Sequence, residues 1–216
     1  VEIQRLADTI AASTERLHVG IEEVLDATAI QAQSLELNIK PMKLEQAVQL
    51  ARRDLLPLMQ ETGCEIQVAP LDTLPPLEGD LSRLRQALRY LLEDMLRHTP
   101  AGERITVMAV ATIKEGEPWL HIAISAPGAG VSATACADFF LMPPLDGENG
   151  ASPTATTRGQ TLRLGIARGL IQAHGGAIRA ESTGKTRMPT LRFHISLPTR
   201  PSQRRESDGA ATVWSG

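Results

Sequence analysis

The stretch Leu77–Val107, LEGDLSRLRQALRYLLEDMLRHTPAGERITV, sets the architecture of this chain. From Asp80 to Arg97 the apolar residues Leu84, Leu88, Leu91, Leu92 and Met95 recur at helical spacing, so one face of a helix is buried and the other carries charge. Asp80 or Ser82 can cap its start, because their side-chain oxygens accept from the free amides of a first turn. Thr99-Pro100-Ala101-Gly102 is a turn, and from Arg104 to Ile113 the apolar period falls from about 3.6 to 2, the period of a half-buried strand. Helix, tight turn and strand predict a helix lying on a sheet.

Toward the C-terminus, Trp119–Ser125 reads as a second strand joined to the first around Lys114–Pro118. Ala126 to Thr161 is rich in Gly, Pro, Ala, Ser and Thr without periodicity, and a loop of this length is functional or mobile as a rule. Leu162–Ala173 is a further helix closed by Gly175-Gly176, and Ala177–Glu181 and Leu191–Leu197 complete the sheet. Residues 201–216, PSQRRESDGAATVWSG, are polar and poor in core residues and are expected to be disordered. Toward the N-terminus, Glu65–Ala69 alternates like a strand, and Leu44, Val48, Ala51, Leu55 and Leu58 mark one amphipathic helix ending at Thr62-Gly63. Residues 35–43 form a linker. Residues 1–34 carry a seven-residue repeat, Ile3, Ile10, Leu17 and Val24, with Ala7, Thr14, Ile21 and Thr28 interleaved. A lone helix cannot bury such a stripe, so a partner is expected, a second copy of the chain first among them. The resulting class is α+β, a two-layer α/β sandwich with a mostly antiparallel sheet, preceded by a long helix.

Composition excludes several functions. Aromatics are 3% of the 216 residues and the net charge is −3, which argues against stacking platforms and a global basic face for nucleic acid. Cys64 and Cys136 stand outside any ligand spacing and read as free thiols of a reducing compartment. No stretch is apolar and long enough to span a bilayer, so a cytoplasmic location is expected. The chain opens inside the helical repeat without an initiator Met and is read as a piece of a longer protein, whose remainder could be membrane-bound.

Five segments, in order, resemble the sensor histidine kinases of the GHKL ATPase superfamily. LHVGIEEVLDATAIQAQSLELNIKPMKLEQAV (17–48) is similar to the second dimerisation helix entering the ATP-binding domain. The opening stretch resembles the asparagine box, WLHIAISAPGAGV (119–131) the first glycine box, RGQTLRLGIARGLIQAHGGAIRAES (158–182) the second glycine box, and TLRFHISLP (190–198) the closing strand. The resemblance implies residues 1–34 as a bundle helix, 44–200 as the ATP-binding-type domain, Mg-ATP as cofactor if active, and a response regulator or another signalling protein as partner.

The resemblance also implies the site, and there the sequence departs from the family. Asp94 stands where the family has a magnesium-binding amide; a carboxylate remains a hard-oxygen ligand for magnesium but adds negative charge beside a triphosphate. Tyr90 stands where a polar residue faces the reacting phosphate, and an ordinary tyrosine is a poor base at neutral pH. Arg97 and His98 fit the family pattern, and Arg97 could reach a phosphate. Ala126 replaces the aspartate that reads the adenine amino group, while Gly128 and Gly130 keep the turn. Gly159 persists in the second glycine box, but Thr161 and Arg163 flank Leu162 at the next two glycine positions, where side chains obstruct backbone approach to phosphates. Arg163 is expected to be solvated, or alternatively to supply a compensating charge. His18 lacks a phosphoacceptor context and reads as a packing or surface residue, and His174 as a structural helix-end residue. The expectation is a signalling domain of a phosphorelay with weak or lost ATP binding, a pseudokinase or scaffold. The alternative is an active kinase phosphorylating a histidine on a first dimerisation helix outside this chain.

Overall fold

The computed structural model describes residues 2–114, 116–127, 136, 139–142, 155–182 and 190–200. In chain order these form α1 (Glu2–Gln31), β1 (Lys40–Met42), α2 (Leu44–Asp54), α3 (Leu56–Thr62), β2 (Glu65–Val68), β3 (Leu77–Gly79), α4 (Leu81–His98), β4 (Arg104–Lys114), β5 (Glu117–Pro127), α5 (Ala155–Ala173), β6 (Ala177–Ser182) and β7 (Thr190–Pro198). Five strands make one sheet in the order β2-β4-β5-β7-β6. β2 runs parallel to β4 and every other pair is antiparallel. One face is apolar and buried, through Ile105 and Val107, Leu120, Ile122 and Ile124, and Leu191, Phe193, Ile195 and Leu197. The buried faces of α2, α4 and α5 join it in a single core. The opposite face exposes Met108 and Val110, as a two-layer sandwich requires.

α4 forms as its sequence predicts. Asp80 caps it by accepting from the amides of Ser82 (3.0 Å) and Arg83 (3.1 Å), and Thr99 closes it by donating its hydroxyl to the Met95 carbonyl (2.6 Å). Three local expectations are corrected. The single helix expected over 44–62 is two, α2 and α3, broken at Leu55 because Pro57 has no amide proton and its ring crowds the preceding turn. The linker and the proline-rich loop contain strands: β1 pairs with β3 in a small sheet with Pro41 opposite Glu78. The last helix begins at Ala155 rather than Leu162, so it takes in the end of the expected long loop.

α1 has two faces. Ala27 and, unexpectedly, the carboxylates Glu23 and Asp26 are buried against the domain. On the other side, Leu17 is 69% and Ile21 60% exposed, with Ile10 and Val24 also exposed. From Ile10 onward the heptad stripe therefore faces away from the domain. α1 comes close to α5 because residue 169 is glycine: a Cβ there would lie 2.4 Å from Ile30 Cγ2.

Candidate functional site

Residues 86, 90, 93 and 97 follow one another at three- and four-residue steps, and Asp94 lies four residues after Tyr90, so α4 presents them along one side, toward α5 and the second half of α1. Glu93 is buried there and gathers three guanidinium groups. Its Oε1 accepts from Arg97 Nη2 (3.0 Å) and from Arg163 Nη1 of α5 (2.9 Å), and Oε2 accepts from Arg89 Nη1 (3.5 Å). Arg163 also donates from Nε to Glu23 Oε1 of α1 at 2.6 Å. Burial works against the charge of Arg163, but the Glu93 and Glu23 carboxylates outweigh it and hold the guanidinium protonated more firmly than usual. Arg163 is thus half-buried and paired with two carboxylates, an ionic bridge between three helices.

A second bridge lies beside it. Asp26 accepts from Arg83 Nη1 (2.7 Å) through Oδ1 and from Gln86 Nε2 (2.6 Å) through Oδ2. Gln86 also donates to the Tyr90 hydroxyl (3.4 Å). Tyr90 is buried, with Arg89 4.6 Å and Arg163 5.9 Å from its ring centroid. Burial pushes its phenol above the ordinary tyrosine value, so it stays neutral and cannot serve as a base near neutral pH.

Asp94 is buried one step further along α4. His98 places Nδ1 2.8 Å from the Asp94 carbonyl oxygen and 3.5 Å from its carboxylate. The hydrogen bond to the Asp94 carboxylate raises the imidazole to about 9 against the desolvation of its half-buried ring. At neutral pH His98 is therefore the cation that balances Asp94. The carboxylate has the donor chemistry of a magnesium ligand, though among the described residues no group of three metal-ligating side chains converges.

The space left between Tyr90, Glu93, Asp94, Arg97, Arg163 and Leu164 is about 10 Å³. A nucleotide-sized ligand needs a cleft of several hundred Å³. Ala126, at the expected adenine position, is fully buried on β5 opposite Leu191 and has no side-chain hydrogen-bonding group. Near this end of the sheet, Phe139 and Phe140 pack on Phe193 with ring centroids 5.5 and 5.3 Å away. Gly128 and Gly130 lie outside the described residues. Gly159 falls within α5, beyond the first four residues of the helix, so its amide belongs to the helical ladder rather than to a free N-terminus. Thr161, Leu162 and Arg163 are half-buried on the same helix.

Of the sequence-predicted residues, Tyr90, Asp94, Arg97 and Arg163 come together, with His98 behind Asp94, whereas Ala126 lies on the sheet. Sequence reasoning missed Glu23, Asp26, Arg83, Gln86, Arg89 and Glu93. The available signal was a pair of carboxylates three residues apart on the side of α1 opposite its heptad stripe. His18 is a surface residue beside Glu22, at 3.3 Å. His174 is buried and structural: Nδ1 donates to the Leu170 carbonyl (2.8 Å) and Nε2 accepts from the Asp80 amide (3.0 Å).

An asparagine-box-like helix and a second capped helix over one face of a mixed sheet define the class, a GHKL-type ATPase fold. Residues 79–201 match the family model described as histidine kinase-, DNA gyrase B-, and HSP90-like ATPase. The chain is 30% identical over 215 aligned residues to histidine protein kinase DivJ of Caulobacter vibrioides, covering 91% of this chain and 34% of that protein. It is 28% identical to sensor protein DivL of the same organism, covering 80% of this chain and 21% of that one. The chain therefore spans about a third or less of these relatives. In structure it is similar to full-length ShkA, solved in complex with AMPPNP, with a TM-score of 0.71 and 24% identity over 92% of this chain and 39% of that one. It is also similar to histidine kinase ThkA, solved in complex with response regulator protein TrrA, with a TM-score of 0.59 and 18% identity over 90% of this chain and 51% of that one. The chain belongs to the histidine kinase-type ATPase family and is homologous to two-component sensor kinases.

Proposed function

We propose that this chain is a signalling domain of a two-component phosphorelay whose nucleotide binding is weak or lost, so that it acts as a pseudokinase or scaffold. One observation carries the reading. Arg163, in the second glycine box, is committed to Glu93 and Glu23 at the position the family gives to phosphates. Ala126 supports it, because replacing a buried hydrogen-bonding partner of a ligand costs about 1–3 kcal/mol, or about ten- to a hundredfold in affinity.

Residues 1–34 serve in this reading as a bundle helix joining two copies of the chain, 44–200 as the ATP-binding-type domain, and 35–43 as the linker. The site comprises Tyr90, Asp94, Arg97, His98, Ala126, Gly128, Gly130, Gly159, Thr161, Leu162 and Arg163, with Asp94 as magnesium ligand if a nucleotide binds. The domain works in the cytoplasm and meets a response regulator or a similar partner; no described helix is long and apolar enough to cross a membrane.

Calorimetric titration with Mg-ATP tests the reading. The wild type should show no binding tighter than about millimolar, and an Ala126→Asp, Asp94→Asn double variant should gain at least about tenfold. Micromolar binding by the wild type would overturn the proposal in favour of an active kinase.

A further inference from the structure

We infer that the free edge of β4, from Ala109 to Lys114, is a docking site for an extended, largely apolar segment of a partner protein, which joins the sheet as a further antiparallel strand. The inference stands apart from nucleotide binding. Ala126 lies near the buried start of β4, whereas this edge lies at the other end, next to the turn into β5.

The backbone opens the edge. β2 covers β4 only from Arg104 to Val107, and the Ala69 amide makes a last bond to the Val107 carbonyl at 2.9 Å. Alternate residues of a strand direct their amides and carbonyls to the same side. Ala109, Ala111 and Ile113 therefore turn theirs as Val107 does, away from β5, and among the described residues no strand pairs with them there. An antiparallel strand laid along this edge exchanges a pair of hydrogen bonds with each of the three.

The side chains leave the edge unguarded. Sheet edges are ordinarily protected by charge, proline or a bulge, because a free edge templates pairing with another chain. The far edge of this sheet follows that rule, since β6 exposes Arg179 and Glu181. Between Arg104 and Lys114, by contrast, β4 carries no charge, no proline and no glycine. Val110 is 59% and Ile113 73% exposed, and both are β-branched, which suits them to an extended backbone.

The same residues define what fits. Met108 and Val110 stand on the outer face, opposite Ala123 and His121 of β5. Both ring nitrogens of His121 are engaged, one with the Ser196 hydroxyl and one with that of Thr112, each at 2.9 Å, so this face offers apolar contact. Ala111 and Ile113 offer the same on the other face. The one charge on the run is Lys114, whose ammonium lies 5.1 Å from the Trp119 ring centroid. A segment that is apolar at alternate positions and begins with a carboxylate beside Lys114 complements the edge in pattern and in charge. A second copy of the chain fits less well. Antiparallel self-pairing centred on Ala111 would set its Lys114 stretch beside Met108, where Ala69 already lies.

The peptide acetyl-Glu-Val-Thr-Val-Thr-Val-amide, titrated into the full chain, tests this. Binding followed by NMR should saturate below about 1 mM. Exchange of the Ala109, Ala111 and Ile113 amides should slow by about tenfold or more. Methylating the peptide's backbone nitrogens at alternate residues should abolish binding in one phase and spare it in the other. Ala111→Pro removes an edge donor where a strand tolerates proline, and Val110→Lys adds a charge without touching the backbone. Each should weaken binding by about tenfold or more with the thermal transition in place. Lys114→Glu should weaken it as well, and should prefer the peptide in which Lys replaces Glu. No saturation by the wild type would overturn the site, as would equal binding of the two methylated peptides or undiminished binding by Ala111→Pro and Val110→Lys. Slow exchange of these amides before peptide is added would overturn it too, the edge being covered already. A particle mass that falls in Val110→Lys without peptide would give the edge to a second copy instead.

Discussion

His174 shows how one side chain ties the fold to its site. It reaches from the end of α5 to the first residue before α4, accepting the Asp80 amide that the helix itself cannot use. Asp80 in turn accepts from Ser82, Arg83 and the backbone of Asn38, so the imidazole fixes the cap that aims the whole of α4. Replacing it by Leu leaves a buried donor unsatisfied, a cost of about 1–3 kcal/mol. Burial holds its pKa below the ordinary value of 6.5, so the unfolded chain takes up the proton first. Stability from this residue is therefore present above 6.5 and is lost as pH falls through the folded value. Denaturant titrations of wild type and His174→Leu should differ most near pH 7.5, and the gap should narrow below 6.5. A gap independent of pH would mean that the ring is not buried neutral.

Glycines and prolines decide the elements where periodicity cannot. Gly175 takes a φ of 75°, the left-handed turn that ends α5, and a Cβ at Gly176 would lie 2.5 Å from the Ser196 carbonyl oxygen. Because that neighbour is backbone, Gly176→Ala must push β7 away from the α5–β6 turn. Overpacking of this kind costs about 1–3 kcal/mol, and the melting temperature should fall by several degrees while Gly116→Ala, in open space at positive φ, bears only local strain. The Gly-Gly stop was legible in sequence, as were α4 and the five strands of the main sheet, because each carries a local pattern. β1 and β3 were not: three-residue strands have no period, and their pairing joins residues 37 apart. Nor was the first turn and a half of α5, whose Ala-Thr-Thr-Arg-Gly-Gln run has no apolar face to read. The catalytic-box positions were legible through the family pattern on α4, but their environment was not. Nothing local to Arg163 points to Glu23 or Glu93, and only the folded chain brings those three charges together.

At the scale of the molecule, α1 has to satisfy two sets of contacts, and its sequence keeps them on opposite sides. Ala27, Ile30 and the two carboxylates face the domain, whereas Leu17, Ile21 and Val24 repeat at heptad-like spacing toward solvent. The two sets do not compete for surface, so a second copy can lie along the stripe without undocking Glu23. A partner that pulls or rotates α1 would however move both at once, which couples assembly to the ion bridge. Replacing the stripe by Leu17→Glu and Ile21→Lys keeps good helix formers and an i,i+4 ion pair on an exposed face. Such a change should cost the isolated domain no more than about 0.5 kcal/mol. Light scattering should report a dimer for the wild type and a monomer for this variant, with the domain's thermal transition in place. The Glu23–Arg163 bridge should survive, seen as unchanged amide protection over residues 26–31. An unchanged mass would place any self-association elsewhere on the molecule, and a monomer that loses protection in α1 would show that the dimer, rather than the ion bridge, holds the helix down.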